Sequence, residues 1–201
     1  MTLEAFRAER SREKHAAILD AALALFSRNG FAGTSMERVA GEAGVSTATL
    51  YRHFASKTAL FEAVSSDALE ALDGALAPGG AASLEQLARA YAELLTAPRT
   101  RAIVRMLVSE TGRGGALAES FYASTKSRIS EVFAAAVASE IGRAVDDPEL
   151  GHIAGQLQGM IEHSTLMRGL VLGDAIEAAG DVEWIASDAV ATWRARWAPV
   201  P

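Results

Sequence analysis

The chain offers nowhere to build a sheet. Alternating β-branched runs are missing along its 201 residues, and apolar residues recur instead at three- and four-residue intervals, the period of a helix. Ile18, Ala21, Ala22, Leu25 and Phe26 form one stripe on a helix over about residues 10–28. Asn29-Gly30 ends it, because glycine accepts the left-handed conformation beyond a helix without a Cβ clash. Thr34-Ser35-Met36-Glu37 fits a capping box, opening a short helix with Met36, Val39 and Ala40 inside and a stop at Ala43-Gly44. Ser46 caps a second short helix carrying Leu50, Tyr51 and Phe54. Ser56 caps a longer one, with Leu60, Phe61, Val64, Ala68, Leu69 and Leu72 inside, which fades into Ala77-Pro78-Gly79-Gly80. A second capping box, Ser83 to Gln86, opens a helix to about Thr96, closed by Pro98. Further helices follow over about 99–111, ended by Gly112 and Gly114-Gly115, over 116–141, from Asp147-Pro148 to Leu172, and from a cap at Asp181 onward. The fold expected is all-α, with about nine helices.

Composition excludes several functions. No cysteine is present, which removes disulfides, thiolate metal sites and thiol catalysis together. The start is charged, without the apolar core of a secretory signal, and no stretch approaches 18 uncharged apolar residues. A cytoplasmic protein with no membrane partner is expected. There is no glycine-rich phosphate loop, serine elbow or metal-spaced histidine pair. His152 and His163 share a helix face but sit about 16 Å apart. Neither an enzyme nor a cofactor or metal is expected.

The informative stretch is Thr34 to Lys57, TSMERVAGEAGVSTATLYRHFASK. Two short helices around a glycine turn make a helix-turn-helix. In that arrangement the first helix braces on the DNA backbone and the second offers its N-terminal residues to the major groove. Ser46, Thr47, Ala48 and Thr49 are small enough for close approach. Leu50 and Phe54, four apart, face inward, while Tyr51, Arg52, His53 and Lys57 offer donors to phosphates. The net charge is −6, yet residues 1–60 hold eight Arg/Lys against six Asp/Glu, and the remainder eleven against nineteen. The basic share is thus local to the segment that would meet phosphates. Arg7, Arg10, Arg12 and Lys14 are interleaved with Glu4, Glu9 and Glu13, which reads as a solvated helix start.

The run from Gly30-Phe31 through Val39-Ala40, Ala43-Gly44-Val45-Ser46 and Leu50-Tyr51 to His53-Phe54, Lys57 and Leu60-Phe61 resembles the TetR family of bacterial transcriptional regulators. The resemblance implies a homodimer with a helix-turn-helix domain over residues 1–60 and an effector-binding and dimerisation domain over 61–201. It implies Thr47, Ala48 and Thr49 near base edges, Tyr51, His53 and Lys57 on the DNA backbone, and Ser35, beside Thr34, at the phosphate-facing start of the bracing helix. Arg52 stands where the family varies. Residues 101–122 resemble the AefR-like branch, departing from it at Gly114-Gly115.

In the second domain the family's small-molecule effector would bind. Ile103, Met106, Leu107 and Glu110 share one helix face, so Glu110 either lines a cavity or reaches solvent beside Arg113. Gly151, Gly155 and Gly159 recur every fourth residue, for close helix packing or for ligand space. Tyr122, Met160, His163, Met167 and Trp184 are further pocket candidates, and apolar residues at helical spacing equally form core. The last two helices would build the dimer, with Leu157, Ile161, Trp193 and Trp197 at the seam, although a large aromatic such as Trp193 equally suits monomer core. The function expected is a ligand-responsive repressor that grips a palindromic DNA operator as a dimer and is released by its effector. The alternatives are a DNA-binding activator without inducer, a helical enzyme and a protein-interaction module.

Overall fold

The computed structural model describes residues 3–67, 83–110, 116–172 and 182–198. The helices are α1 (Leu3–Asn29), α2 (Met36–Glu42), α3 (Thr47–His53), α4 (Lys57–Asp67), α5 (Leu84–Thr96), α6 (Pro98–Glu110), α7 (Ala116–Phe121), α8 (Ser127–Ile141), α9 (Leu150–Glu162), α10 (Arg168–Leu172) and α11 (Val182–Trp197). Among the described residues there is no strand, so the fold is all-α, as the periodicity requires. No described helix is long and apolar enough to cross a membrane.

Several element ends follow from the capping chemistry. Gly30 has φ +73° where α1 stops. Gly44 has φ +65°, and the Val45 N–H reaches back to the Ala40 carbonyl at 3.0 Å, closing α2 in a Schellman motif. The Ser83 hydroxyl and the Gln86 side chain satisfy each other's backbone N–H groups at the start of α5. Three expectations need correction. Ser35, not Thr34, caps α2. The helix expected from Asp147 begins at Leu150, because Asp147 accepts the Glu149 N–H at 2.9 Å and holds a turn there. The helices expected over 116–141 and up to Leu172 are each interrupted by a π-helical turn, Tyr122–Lys126 and His163–Met167. The features expected at Leu69, Ala77 to Gly80, Gly112 to Gly115 and Asp181 lie outside the described residues.

The chain divides into two compact units. Unit 1 holds residues 1–67 and 102–121. Its core takes Ile18, Leu25 and Phe26 from α1, Val39 from α2, Leu50 from α3 and Leu60 and Phe61 from α4, all nearly or fully buried. Phe26, Phe31 and Phe61 form a triangle with ring centroids 5.4–6.3 Å apart. The later segment joins through Ser120, whose hydroxyl donates to Glu62, and through Glu110, whose carboxylate lies 3.3 Å from where a Cβ on Gly30 would stand.

Unit 2 holds residues 68–101 and 122–201. Leu87 and Tyr91 of α5, Phe133 and Val137 of α8, Leu150, Ile153, Leu157 and Ile161 of α9 and Trp193 of α11 are buried together. Each such large side chain contributes about 1.5–3 kcal/mol by leaving water. Trp193 donates its indole N–H to the Ile153 carbonyl at 3.0 Å. Arg194 clasps Glu140 at 2.5 Å and also Glu85, tying α11 to α8 and α5. Both carboxylates hold its guanidinium above its ordinary range, and the bond from Arg194 lowers the Glu85 carboxyl.

Candidate nucleic-acid interface

The tip of α3 is prepared by its cap. Ser46 accepts the Thr49 N–H at 3.1 Å and pairs with the Thr49 hydroxyl at 2.9 Å. One orphan donor of the first turn is thereby satisfied. Thr47 and Ala48 are left exposed at the helix start. Leu50 and Phe54 are buried at 0% and 5% exposure, which turns Tyr51 and Arg52 outward. Tyr51 is 48% exposed. The outer face of α3 therefore carries a methyl, two hydroxyls and a guanidinium, a set that suits base edges at its tip and phosphates beside it.

The neighbouring candidates are held differently. Ser35 accepts the Arg38 N–H at 3.3 Å and is half-buried. The backbone N–H of Glu37, and then the Ser35 hydroxyl, hold the Glu37 carboxyl below its ordinary range. Thr34 is turned inward at 2% exposure, its hydroxyl donating to the Gly30 carbonyl at 2.9 Å and the Leu25 carbonyl at 3.2 Å. That position corrects the expectation of Thr34 at a phosphate-facing surface. Lys57 is half-buried. It donates to the carbonyls of Phe31 and Thr34, both at 2.8 Å, and lies 4.5 Å from the Phe31 ring centre. Two of its three N–H bonds are committed to the turn between α1 and α2.

His53 is half-buried beside His15, with ring centres 5.9 Å apart. Burial first, and then the charges of His15, Arg52 and Lys14, lower its imidazole below its ordinary 6.5. Arg7, Arg10, Lys14, Arg52 and His53 line a cleft of about 350 Å³. Arg7, Arg10 and Lys14 are spaced by three and four, on one face of α1. Glu9 turns elsewhere and pairs with Arg12 at 2.5 Å. Glu9 is thus set apart from this basic face, which is legible from the helical period.

The ligand and seam candidates are held in different settings. Leu157, Ile161 and Trp193 are buried in the core of unit 2 at 0–1% exposure. They have no surface to offer a partner, which corrects their expected place at a dimer seam. Gly155 and Gly159 are exposed, and a Cβ on either would meet nothing within 4 Å. Gly159, Met160, His163, Trp184 and the half-buried Trp197 line an open groove of about 740 Å³ between α9 and α11. Met106 is buried and Glu110 half-buried, both within unit 1. Tyr122 stands 63% exposed in unit 2. Among the described residues no group of acidic and histidine side chains is arranged to hold a metal.

A model of the tetR family of bacterial regulatory proteins matches residues 18–64, and one of the AefR-like transcriptional repressor C-terminal domain matches residues 82–199. The HTH-type transcriptional regulator UidR of Escherichia coli K12 is 47% identical over 47 residues, 23% of this chain and 24% of UidR. The match therefore spans about a quarter of that relative's length. A TetR-family regulator from Mesorhizobium loti is 25% identical at a TM-score of 0.71, over 94% of this chain and 99% of its own. The flavonoid-responsive regulator FrrA is 27% identical at a TM-score of 0.65, over 94% and 98%. With both domains matched and the geometry of α2 and α3 as described, the chain belongs to the TetR family of bacterial transcriptional regulators, with a C-terminal domain of the AefR-like type.

Proposed function

We propose that the chain is a homodimeric repressor, acting in the cytoplasm without catalytic activity, that grips a palindromic DNA operator and is released by a small organic effector. The observation that carries this reading is the bare, capped tip of α3, with Thr47 and Ala48 exposed and Tyr51 and Arg52 on the flank. Thr47, Ala48 and Thr49 meet base edges. Tyr51, Arg52 and the Arg7, Arg10 and Lys14 face meet phosphates. Ser35 and Ser46 supply cap and rim, while Thr34 and Lys57 hold the turn that orients them, and His53 supports the cleft wall.

The dimer face is the α9 and α11 surface with Gly155, Gly159, Met160, His163, Trp184 and Trp197. Open space above the glycines supports close approach of a second helix, and small residues with an exposed tryptophan fit a helix-on-helix seam. Two recognition helices would then stand about 34–36 Å apart, one turn of DNA. FrrA responds to flavonoids, which supports a small organic effector here, near Tyr122 or on the Met106 and Glu110 side. Binding of operator and effector is reciprocally coupled.

Selection of the purified protein against a random duplex library tests this reading. An enriched palindrome, read in two successive major grooves, is expected. Weak binding without sequence enrichment would reject it. The activator alternative differs only in the sign of transcription from the selected site.

A further inference from the structure

Three segments of unit 2 bring four polar side chains to one point beside an apolar core. Tyr91 of α5 is 1% exposed and donates its hydroxyl to Glu162 Oε1 at 2.5 Å. Lys126, the last residue of the first π turn, donates to the same oxygen. It also reaches Tyr91 Oη and Gln158 Oε1, each at 3.3 Å. Gln158 is buried at 4% exposure, and Lys126 and Glu162 keep 26% and 31% of their side-chain surface. The cluster is rooted in the core and open at its edge.

Its surroundings point to recognition. Lys126 closes one π turn and Glu162 directly precedes the other. Such turns recur at functional sites, and a buried ion pair commonly adds no more stability than apolar packing of equal volume. Burial first, then Glu162, and lastly Tyr122 push the Tyr91 hydroxyl far above the ordinary phenol range, so it remains a donor. Tyr122 opens the π turn that Lys126 closes and is 63% exposed.

The pattern of used and unused atoms specifies the ligand. The ammonium and the carboxylate balance, so an ionic ligand would leave one charge uncompensated. Tyr91 and Lys126 donate inward. Glu162 Oε2, an acceptor, and Gln158 Nε2, a donor, make none of the cluster's bonds. They stand four residues apart on α9, side by side on one face.

We propose that Tyr91, Lys126, Gln158 and Glu162 form the polar end of the effector site, and that the effector is a neutral aromatic molecule bearing a hydroxyl and a second oxygen. Its O–H donates to Glu162, its other oxygen accepts from Gln158, and its ring lies against Tyr122. This rests on the reading of the chain as an effector-responsive regulator.

Three matched probes test it on the full chain, by ligand-observed NMR titration below neutral pH. Saturable binding of para-hydroxyacetophenone is expected, with at least tenfold weaker binding of para-methoxyacetophenone, which lacks the donor, and of para-hydroxybenzoate, which carries a charge. Glu162→Gln and Gln158→Met are expected to weaken the first probe at least fivefold. The double variant Lys126→Met with Glu162→Met removes both charges together, and should abolish binding while the helical circular dichroism persists. Equal binding of the methoxy probe, preference for the carboxylate, indifference to Glu162→Gln, or no saturable binding of any probe overturns the proposal. Duplex binding by the unmodified chain, measured alongside, separates the two readings. If it persists while the probes fail, the effector assignment alone falls; if it is absent, the regulator reading falls.

Discussion

The two units hold their functional groups by opposite means. In unit 1 the bonds that shape the recognition tip are local. Ser46 reaches Thr49, and Ser35 reaches the N–H of Arg38, both three residues on. In unit 2 the polar cluster is assembled over distance, with Tyr91 and Glu162 separated by 71 residues and Lys126 and Glu162 by 36. The caps at Ser35 and Ser46 depend on neighbours within one helical turn. A cluster gathered from three segments depends on all the packing that brings those segments together.

The contrast is tested most strongly in the core. Trp193→Ala removes a fully buried ring and its bond to Ile153, and should cost about 3–5 kcal/mol in denaturant unfolding. Trp197→Ala, half-buried on the open groove with its indole N–H on Gln156, should cost only about 1 kcal/mol of monomer stability but raise the dissociation constant of the proposed dimer in sedimentation equilibrium. Equal costs at the two tryptophans would erase the division between core and seam.

Within unit 1, Lys57→Met should cost about 2 kcal/mol, since hydrogen bonds from a charged donor count for more than neutral ones. Hydrogen exchange should quicken around α2. Tyr51→Ala should instead leave the melting curve within about 0.5 kcal/mol and weaken binding to every duplex alike. Ser46→Ala should cost about 1 kcal/mol as a lost cap. Thr47→Ala is expected to change base preference with no matching loss of stability, checked by repeating the duplex selection.

Smaller effects sharpen the comparison. Arg10→Ala and Lys14→Ala should each lower the salt slope of duplex binding by about 1, whatever the sequence. His53 has a lowered pKa, so below 6.5 the unfolded chain binds more protons than the folded one. Stability should therefore fall as pH drops below 6.5 toward the lowered value, and His53→Asn should flatten that decline in thermal melts. A decline unchanged in the variant would remove His53 from the account.

Sequence legibility follows the same local and distant divide. The stripe from Ile18 to Phe26 and the tip at Ser46 were readable because their determinants lie within one or two helical turns. Thr34 was misread because the choice of cap between adjacent hydroxyls depends on where Leu25 and Gly30 fold back. Leu157, Ile161 and Trp193 carried no mark of whether their face met their own core or a partner, since both burials use the same apolar spacing. The Tyr91 cluster was invisible because no sequence window contains it. The basic face of α1 was readable, and required only sorting charges by helical angle rather than by order.

Residues 102–121 belong to the same compact unit as the first 67. A ribosome releases the chain in one direction at roughly 5–20 residues per second. At that pace position 121 follows position 67 by roughly 3–11 seconds. For that interval the nascent head exists without the segment that brings Ser120 to Glu62 and Glu110 to Gly30. A fragment ended at residue 67 would be held permanently at that stage of synthesis.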